Sequence, residues 1–388
     1  YGVLTDSEHA QAAAAAATDG QVVLAAEDPL TALQRLATAW RTRLGAHVIG
    51  VTGSTGKTST KDLLLAVLSP HRRTIASRAN FNTEIGLPLE ILAAPPETEI
   101  LVLEMGMRGP GQIAELGEIA RPDVGIIVSV GPVHLELLGS VEAIAAAKAE
   151  LIAALPEGGT AIVPAGEQLL VPHLRSDVRT VTFGPGGDIQ LRRAGEGEVE
   201  IDASGRPIRL QIDFEQAHLR RNLLAAVGAA LAVGVAPEGR IELALSPGRG
   251  QQTTLPSGVV LIDDCYNANP MSMRAALDDL TRAASGTSAR RVAVLGDMLE
   301  LGPEAPRFHA EIGAYANERA DVLISVGPLA AEMGRTFAGS HQHAEDAGRA
   351  AEIVPELLEA GDVLLVKGSR GVALEQVCHA VSAGTVPG

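Results

Sequence analysis

Short apolar runs, each closed by glycine or a polar residue, alternate with Ala- and Leu-rich segments of helical period along nearly the whole chain. A run such as Ile100 to Leu103 or Val363 to Val366 is too short and too uniformly apolar to be a half-exposed strand. It fits a strand buried on both faces, and the helical segment after it supplies the crossover that parallel pairing requires. The fold class is therefore α/β, built on mostly parallel sheets. Hydrophobic residues make up 46% of the chain while aromatics make up 2%, so Ala, Val, Leu and Ile must fill the interior, as such sheets demand.

At 388 residues the chain exceeds one ordinary core. A first series of strands is predicted at His47 to Val51, Ile100 to Leu103 and Val124 to Val130. A second is predicted at Val259 to Ile262, Val292 to Leu295, Val322 to Val326 and Val363 to Val366. Between them, Phe183 to Phe214 is rich in glycine, charge and alternation, and reads as small antiparallel strands or loops. The expected division is a central phosphate-loop domain over residues 45–246 and a Rossmann-like α/β domain over residues 247–388. Residues 1–44, which include the Ala12 to Ala17 helix segment, stand before the first strand.

The charge balance narrows the partners. With 31 Lys plus Arg against 47 Asp plus Glu, the formal charge is -16, which repels a nucleic-acid backbone or an anionic membrane surface. No run of about 18 apolar residues and no basic start followed by an apolar stretch is present, so neither a membrane span nor a signal peptide is expected. Cys265 and Cys378 stand far apart, with no further pair to suggest a zinc site or a disulfide framework. These features fit a cytoplasmic protein acting on small molecules.

Ligands of open α/β sheets sit beyond the carboxyl ends of strands, so the residues just after each run are the candidates for chemistry. After the first strand comes Gly53-Ser54-Thr55-Gly56-Lys57-Thr58, followed by a helix from Lys61 to Leu68. Glycines there let backbone N–H groups point inward, the helix N-terminus adds positive dipole, Lys57 reaches the outer phosphates, and the Thr58 hydroxyl suits Mg²⁺. Ile100 to Leu103 ends in Glu104, a carboxylate placed to hold or position magnesium. Val124 to Val130 leads to His134, an imidazole at a third strand end. In Val141 to Ile152 the apolar positions Val141, Ile144, Leu151 and Ile152 recur at helical spacing, and Lys148 lies within their stripe. Spacing alone leaves Lys148 open between a lysine that reaches the helix edge and a buried amine of lowered pKa able to take up CO₂ as a carbamate.

Taken together, the segments Thr52 to Thr58, Asn80 to Gly86, Glu104 to Arg108, His134 to Glu136 and Ala147 to Glu150 resemble the Mur ligase family. So do Asp263 to Pro270 and Leu295 to Gly302 in the second half, which look like the type that adds D-alanyl-D-alanine to a UDP-muramoyl tripeptide. The resemblance runs in order from about Ala46 to Val377. It implies that Lys57 and Thr58 bind ATP phosphates and a first Mg²⁺, with Glu104 completing that site. His134 and a carbamylated Lys148 would hold a second Mg²⁺. Asn222 resembles the family's adenine contact, Arg249 its γ-phosphate arginine and Asp264 its ribose ligand. Lys367 to Arg370 matches a family segment of the last domain. The family usually carries His-Asn at the adenine contact, whereas here Leu219, Arg220 and Arg221 separate His218 from Asn222. Against the family, residues 1–44 read as the remnant of an N-terminal UDP-sugar domain.

The activity implied is ATP-dependent amide ligation through an acyl phosphate in peptidoglycan precursor synthesis, by a monomeric enzyme without a membrane span or nucleic-acid partner. A related ligase of the folylpolyglutamate synthase or cyanophycin synthetase kind would share the ATP-binding half, and a nucleotide-binding partner subunit that does not ligate would share the phosphate loop alone.

Overall fold

The computed structural model describes residues 2–78 and 80–383. Two compact units emerge: one holds residues 2–129, 145–213 and 221–242, and the other holds 130–144, 214–220 and the chain from 243 onward.

The first unit is organised by a ten-stranded sheet. Its strands run in the spatial order Arg240–Ile241, Arg206–Ile212, Glu198–Ala203, Ile189–Gly195, Arg179–Phe183, Thr160–Pro164, Val124–Ile127, His47–Thr52, Ile100–Glu104 and Thr74–Ala76. Pairing is parallel from Thr74–Ala76 across to Ile189–Gly195. The segment read as small antiparallel strands is a meander of three: Ile189–Gly195, Glu198–Ala203 and Arg206–Ile212. The central strand His47–Thr52 is buried from Val48 onward, as expected of a strand with neighbours on both edges and helices on its faces.

Val124 to Val130 reads as one strand, but pairing stops at Ile127. Ser129 departs from the ladder to hydrogen-bond residues 54 and 55 instead. The predicted helix after the phosphate loop starts earlier than Lys61, at Lys57, and runs to Leu68.

Helix Pro29–Leu44 has its stop and start signals in place: Asp28 accepts hydrogen bonds from the Leu30 and Thr31 N–H groups, Pro29 occupies the first turn, and Gly45 leaves the helix in the left-handed region at φ 63°. The helix is fastened to the first unit. The Trp40 indole donates to Ala94 O at 3.0 Å, and Arg41 reaches Ala120 O, Ala46 O and the Asp123 carboxylate.

The second unit has a six-stranded sheet in the order Gln251–Thr254, Val260–Asp263, Val363–Lys367, Arg291–Gly296, Val322–Val326 and Ser340–Ala344. Only the first pair is antiparallel. Apolar side chains cover both faces, with Leu277, Leu295, Ile312 and Leu365 on one and Val292, Ile324, Val354 and Leu364 on the other. Each of the four strands predicted for this half is present. Helix Pro270–Ala283 opens on a reciprocal cap between Asn269 and Ser272.

One polar group is wholly enclosed in this core. His309 is 0% exposed; its Nε2 accepts the Met298 N–H at 2.9 Å, and its Nδ1 lies 2.6 Å from Ala305 O. Those partners require the neutral ring with the proton on Nδ1. Burial lowers the His309 pKa from its ordinary 6.5, against the opposing pull of Ala305 O and Asp297. A histidine with a depressed native pKa stabilises the fold above its unfolded pKa. That contribution is lost as pH falls below it, because the unfolded chain then binds more protons. Thermal melts followed by circular dichroism should therefore show stability declining from about pH 7.5 to about pH 5.5. In His309→Gln that decline should be shallower, and equal slopes in the two proteins would rule His309 out as its source.

Candidate active site

The phosphate loop begins where His47–Thr52 leaves its sheet. Parallel register sets Val51 opposite Glu104 and Thr52 opposite Ile127, so the loop emerges between two neighbouring strand ends. Gly56 sits at φ 80° as the residue before helix Lys57–Leu68. A Cβ there would stand 2.9 Å from Val128 Cγ1 and 3.0 Å from Asn222 Nδ2, so both conformation and space demand glycine. Ser129 ties the loop down from the adjacent strand end. Its carbonyl accepts the Ser54 N–H at 2.9 Å, while its hydroxyl accepts the Thr55 N–H at 2.9 Å and donates to Thr55 O at 3.0 Å.

The side chains follow from this frame. Lys57 arches over the loop, its Nζ donating to Gly53 O at 2.8 Å. Thr58 points the other way, its hydroxyl donating to Glu104 Oε2 at 2.8 Å. Asn82 Nδ2 donates to the other oxygen, Oε1, at 2.9 Å, and the Ser77 hydroxyl accepts the Glu104 N–H at 3.0 Å. Glu104 is thus a buried carboxylate with each oxygen held by one donor and its backbone pinned by Ser77, and together with the Thr58 hydroxyl it offers oxygens that suit a hard divalent cation such as Mg²⁺.

Lys148 is 2% exposed on helix Val141–Ala153. Its pKa is driven well below 10.5, first by burial and then by the positive charge of Lys57. Both causes favour the neutral, nucleophilic form of the amine. Asn222 is also buried, on helix Ala217–Ala232; its Nδ2 donates to Ser59 Oγ at 3.0 Å, directly behind the loop.

The remaining residues singled out from the sequence lie in the second unit. His134 takes a left-handed backbone, φ 54°, and its Nδ1 is bonded to Glu300, itself left-handed at φ 62°. A carboxylate on one ring nitrogen is how metal-binding histidines are commonly oriented. Asp264 pairs with the buried Lys367 at 2.6 Å, and Lys367 also donates to Asn267 O at 2.9 Å. The Arg249 guanidinium stacks over Tyr266 at 4.0 Å from the ring centre. Thus Gly53 to Thr58, Glu104, Lys148 and Asn222 share the first unit, whereas His134, Arg249 and Asp264 belong to the second. Sequence reading passed over Ser129, Ser77 and Glu300. Ser129 was within reach of the strand-end rule; Glu300 was not, because its partner His134 lies 166 residues away.

A glycine loop at a helix N-terminus, with a threonine and a buried glutamate at the carboxyl edge of a parallel sheet, defines a phosphate-loop nucleotide-binding protein. Comparison with known proteins is more specific. Residues 51–230 match the Mur ligase middle domain, and residues 248–370 match the Mur ligase glutamate ligase domain. The chain is 38% identical to the UDP-N-acetylmuramoyl-tripeptide--D-alanyl-D-alanine ligase of Bacillus subtilis, over 92% of this chain and 81% of that one. A crystal structure of MurF ligase from Thermotoga maritima in complex with ADP superposes with a TM-score of 0.83 at 30% identity, covering 94% of this chain and 86% of that one. MurF from Acinetobacter baumannii gives 0.85 at 26% identity, covering 98% and 84%. The chain belongs to the Mur ligase family.

Removing the Ser129 hydroxyl should loosen the loop without unfolding the sheet. We expect Ser129→Ala to weaken ATP and ADP binding about tenfold, the worth of roughly 1.4 kcal/mol, while the melting profile stays close to wild type. Calorimetric titration checks this, and unchanged affinity would show that the loop holds its shape without the hydroxyl.

Proposed function

We infer that this chain is an ATP-dependent ligase that adds D-alanyl-D-alanine to UDP-N-acetylmuramoyl tripeptide in peptidoglycan precursor synthesis. The observation that carries the reading is similarity to a ligase named for that reaction across 92% of the chain. Among the described residues no helix is long and apolar enough to cross a membrane, and we place the reaction in the cytoplasm, where ATP and nucleotide-linked sugars are made.

In this reading the terminal carboxylate of the tripeptide attacks the γ-phosphorus of ATP, giving an acyl phosphate and ADP. The free amine of the dipeptide then attacks the acyl carbon, phosphate leaves with the bonding pair, and the amine sheds a proton. A carboxylate is a poor electrophile at neutral pH, and phosphorylation supplies the leaving group it lacks.

We assign the phosphates to the N–H groups of residues 53–58, with Lys57 swinging from Gly53 O onto the outer phosphates. Thr58 and Glu104 suit one Mg²⁺, and His134 together with Lys148 a second. These ions would offset the charge gathered at the transferring phosphoryl group. An unmodified Lys148 amine carries no negative charge to offer a cation. Reaction with CO₂ to give a carbamate and a proton converts it to an anionic oxygen ligand, and its depressed pKa favours that addition. Asn222, Arg249 and Asp264 are assigned to adenine, γ-phosphate and ribose respectively.

Three outcomes test these assignments. Lys57→Ala should lower turnover by on the order of a thousandfold with its circular dichroism unchanged; wild-type rates in the folded variant would sink the phosphate-loop role. Lys148→Ala should be nearly inactive and partly restored by added formate or acetate, whereas full activity of the wild type in CO₂-depleted buffer would remove the carbamate. With UDP-muramoyl tripeptide and ATP present, D-alanyl-D-alanine should release phosphate about a hundredfold faster than D-alanine or L-glutamate, since a site built for two residues leaves polar groups unpaired when one is missing. A single amino acid acting as the better acceptor would overturn the dipeptide specificity and leave the ligase chemistry standing.

A further inference from the structure

Two cysteines that stand 113 residues apart in the sequence meet in the second unit. Cys265 follows strand Val260–Asp263, and Cys378 lies on helix Glu375–Ala383. Their Sγ atoms and a carboxylate oxygen of Asp263 all lie within 4.8 Å of one another. Among the described residues no other group of three such side chains comes so close. None of the three is used by the ligase reaction as assigned above.

We propose that Asp263, Cys265 and Cys378 form a binding site for a thiophilic divalent cation of the zinc class, separate from the magnesium positions. A tetrahedral zinc site with Zn–S of about 2.3 Å places its ligand atoms roughly 3.4–3.8 Å apart, so the trio needs to contract by about 1.4 Å at most. The two cysteines are 4% and 6% exposed and belong to the apolar cluster that includes Val292, Leu374 and Val377. Asp263 is only half-buried, which gives an ion a way in and a water molecule the fourth position. Two sulfurs and one carboxylate select zinc-like ions over magnesium.

The electrostatics of the trio point the same way. The Cys378 thiol is pushed up from its ordinary pKa by its hydrogen bond to Cys265, by burial and by the Asp263 charge. The same carboxylate and neighbouring sulfur that disfavour a bare thiolate would stabilise a bound cation, which compensates the charge. Binding is written as one divalent ion entering, two S–H bonds breaking, two metal–sulfur bonds forming and two protons leaving to solvent. No oxidant is needed. Because Cys265 sits between Asp264, held by Lys367, and Tyr266, beneath Arg249, ligation clamps that segment to helix Glu375–Ala383.

The test uses the full, reduced chain with excess Mg²⁺ and Co²⁺ as the probe. A single Co²⁺ per chain should produce a thiolate-to-cobalt charge-transfer band in the near ultraviolet, which the oxygen and nitrogen ligands of the magnesium positions cannot give. Zn²⁺ should abolish the band by displacement, and Cys378→Ser should lack it. Asp263→Asn, which keeps both thiols, should bind Co²⁺ at least about tenfold more weakly and carries the test if Cys378→Ser does not fold. Absence of the band, its persistence in Cys378→Ser, or unchanged affinity in Asp263→Asn would each overturn the site. So would mass spectrometry finding the pair already two hydrogens lighter in freshly purified protein, because a disulfide has no thiolate to offer.

Discussion

The parallel pairing of His47–Thr52 with Ile100–Glu104 on one side and Val124–Ile127 on the other is the constraint on which the active site depends. Because Val51 stands opposite Glu104 and Thr52 opposite Ile127, a loop leaving the central strand has a carboxylate on one flank and Ser129 on the other. A one-residue slip of either neighbour would turn alternate side chains to the opposite face, burying apolar groups where the Glu104 carboxylate now accepts hydrogen bonds from Thr58 and Asn82. Register is therefore not merely a matter of stability in this sheet. It decides whether Thr58 has a carboxylate to face.

The second unit is built on the same economy with different chemistry. Asp264 directly follows strand Val260–Asp263 and Lys367 ends its parallel neighbour, and their ion pair at the carboxyl edge is the counterpart of the Thr58 and Glu104 pair in the first unit. Here the buried partner is the cation, not the anion. The Lys367 ammonium is satisfied by Asp264 and by the Asn267 carbonyl, so burying it leaves no uncompensated charge. Lys148, by contrast, is buried without such an anion and is pushed toward its neutral form. Two lysines with nearly equal exposure thus sit in different electrostatic surroundings, because a carboxylate stands beside one amine and the charge of Lys57 bears on the other.

What was legible in the sequence was the periodic part. Runs such as Val322 to Val326 and Val363 to Val366 are found as strands because a doubly buried strand has no alternative to a continuous apolar run. The phosphate loop was legible because its glycines and Lys57 are local in sequence. Where long-range contacts decide the outcome, reading failed or stayed open. Val124 to Val130 ended early because Ser129 prefers the loop to the ladder, and spacing left Lys148 undecided between two environments. The two cysteines, distant in sequence and read as unrelated, are neighbours because a strand end and the last described helix converge. The small strands Gly2–Thr5 and Val22–Ala25 pair with each other in parallel and were not anticipated, being too short and too exposed to leave a period.

Trp40 is the only tryptophan in the chain, and it sits on the helix fastened to the first unit, its indole N–H engaged by Ala94 O. Intrinsic indole fluorescence is therefore a local reporter in this protein. Its emission follows the seating of helix Pro29–Leu44 in the first unit. An unfolding curve drawn from that signal describes one unit, and agreement with a whole-chain probe becomes a measurement of how far the two units lose their structure together.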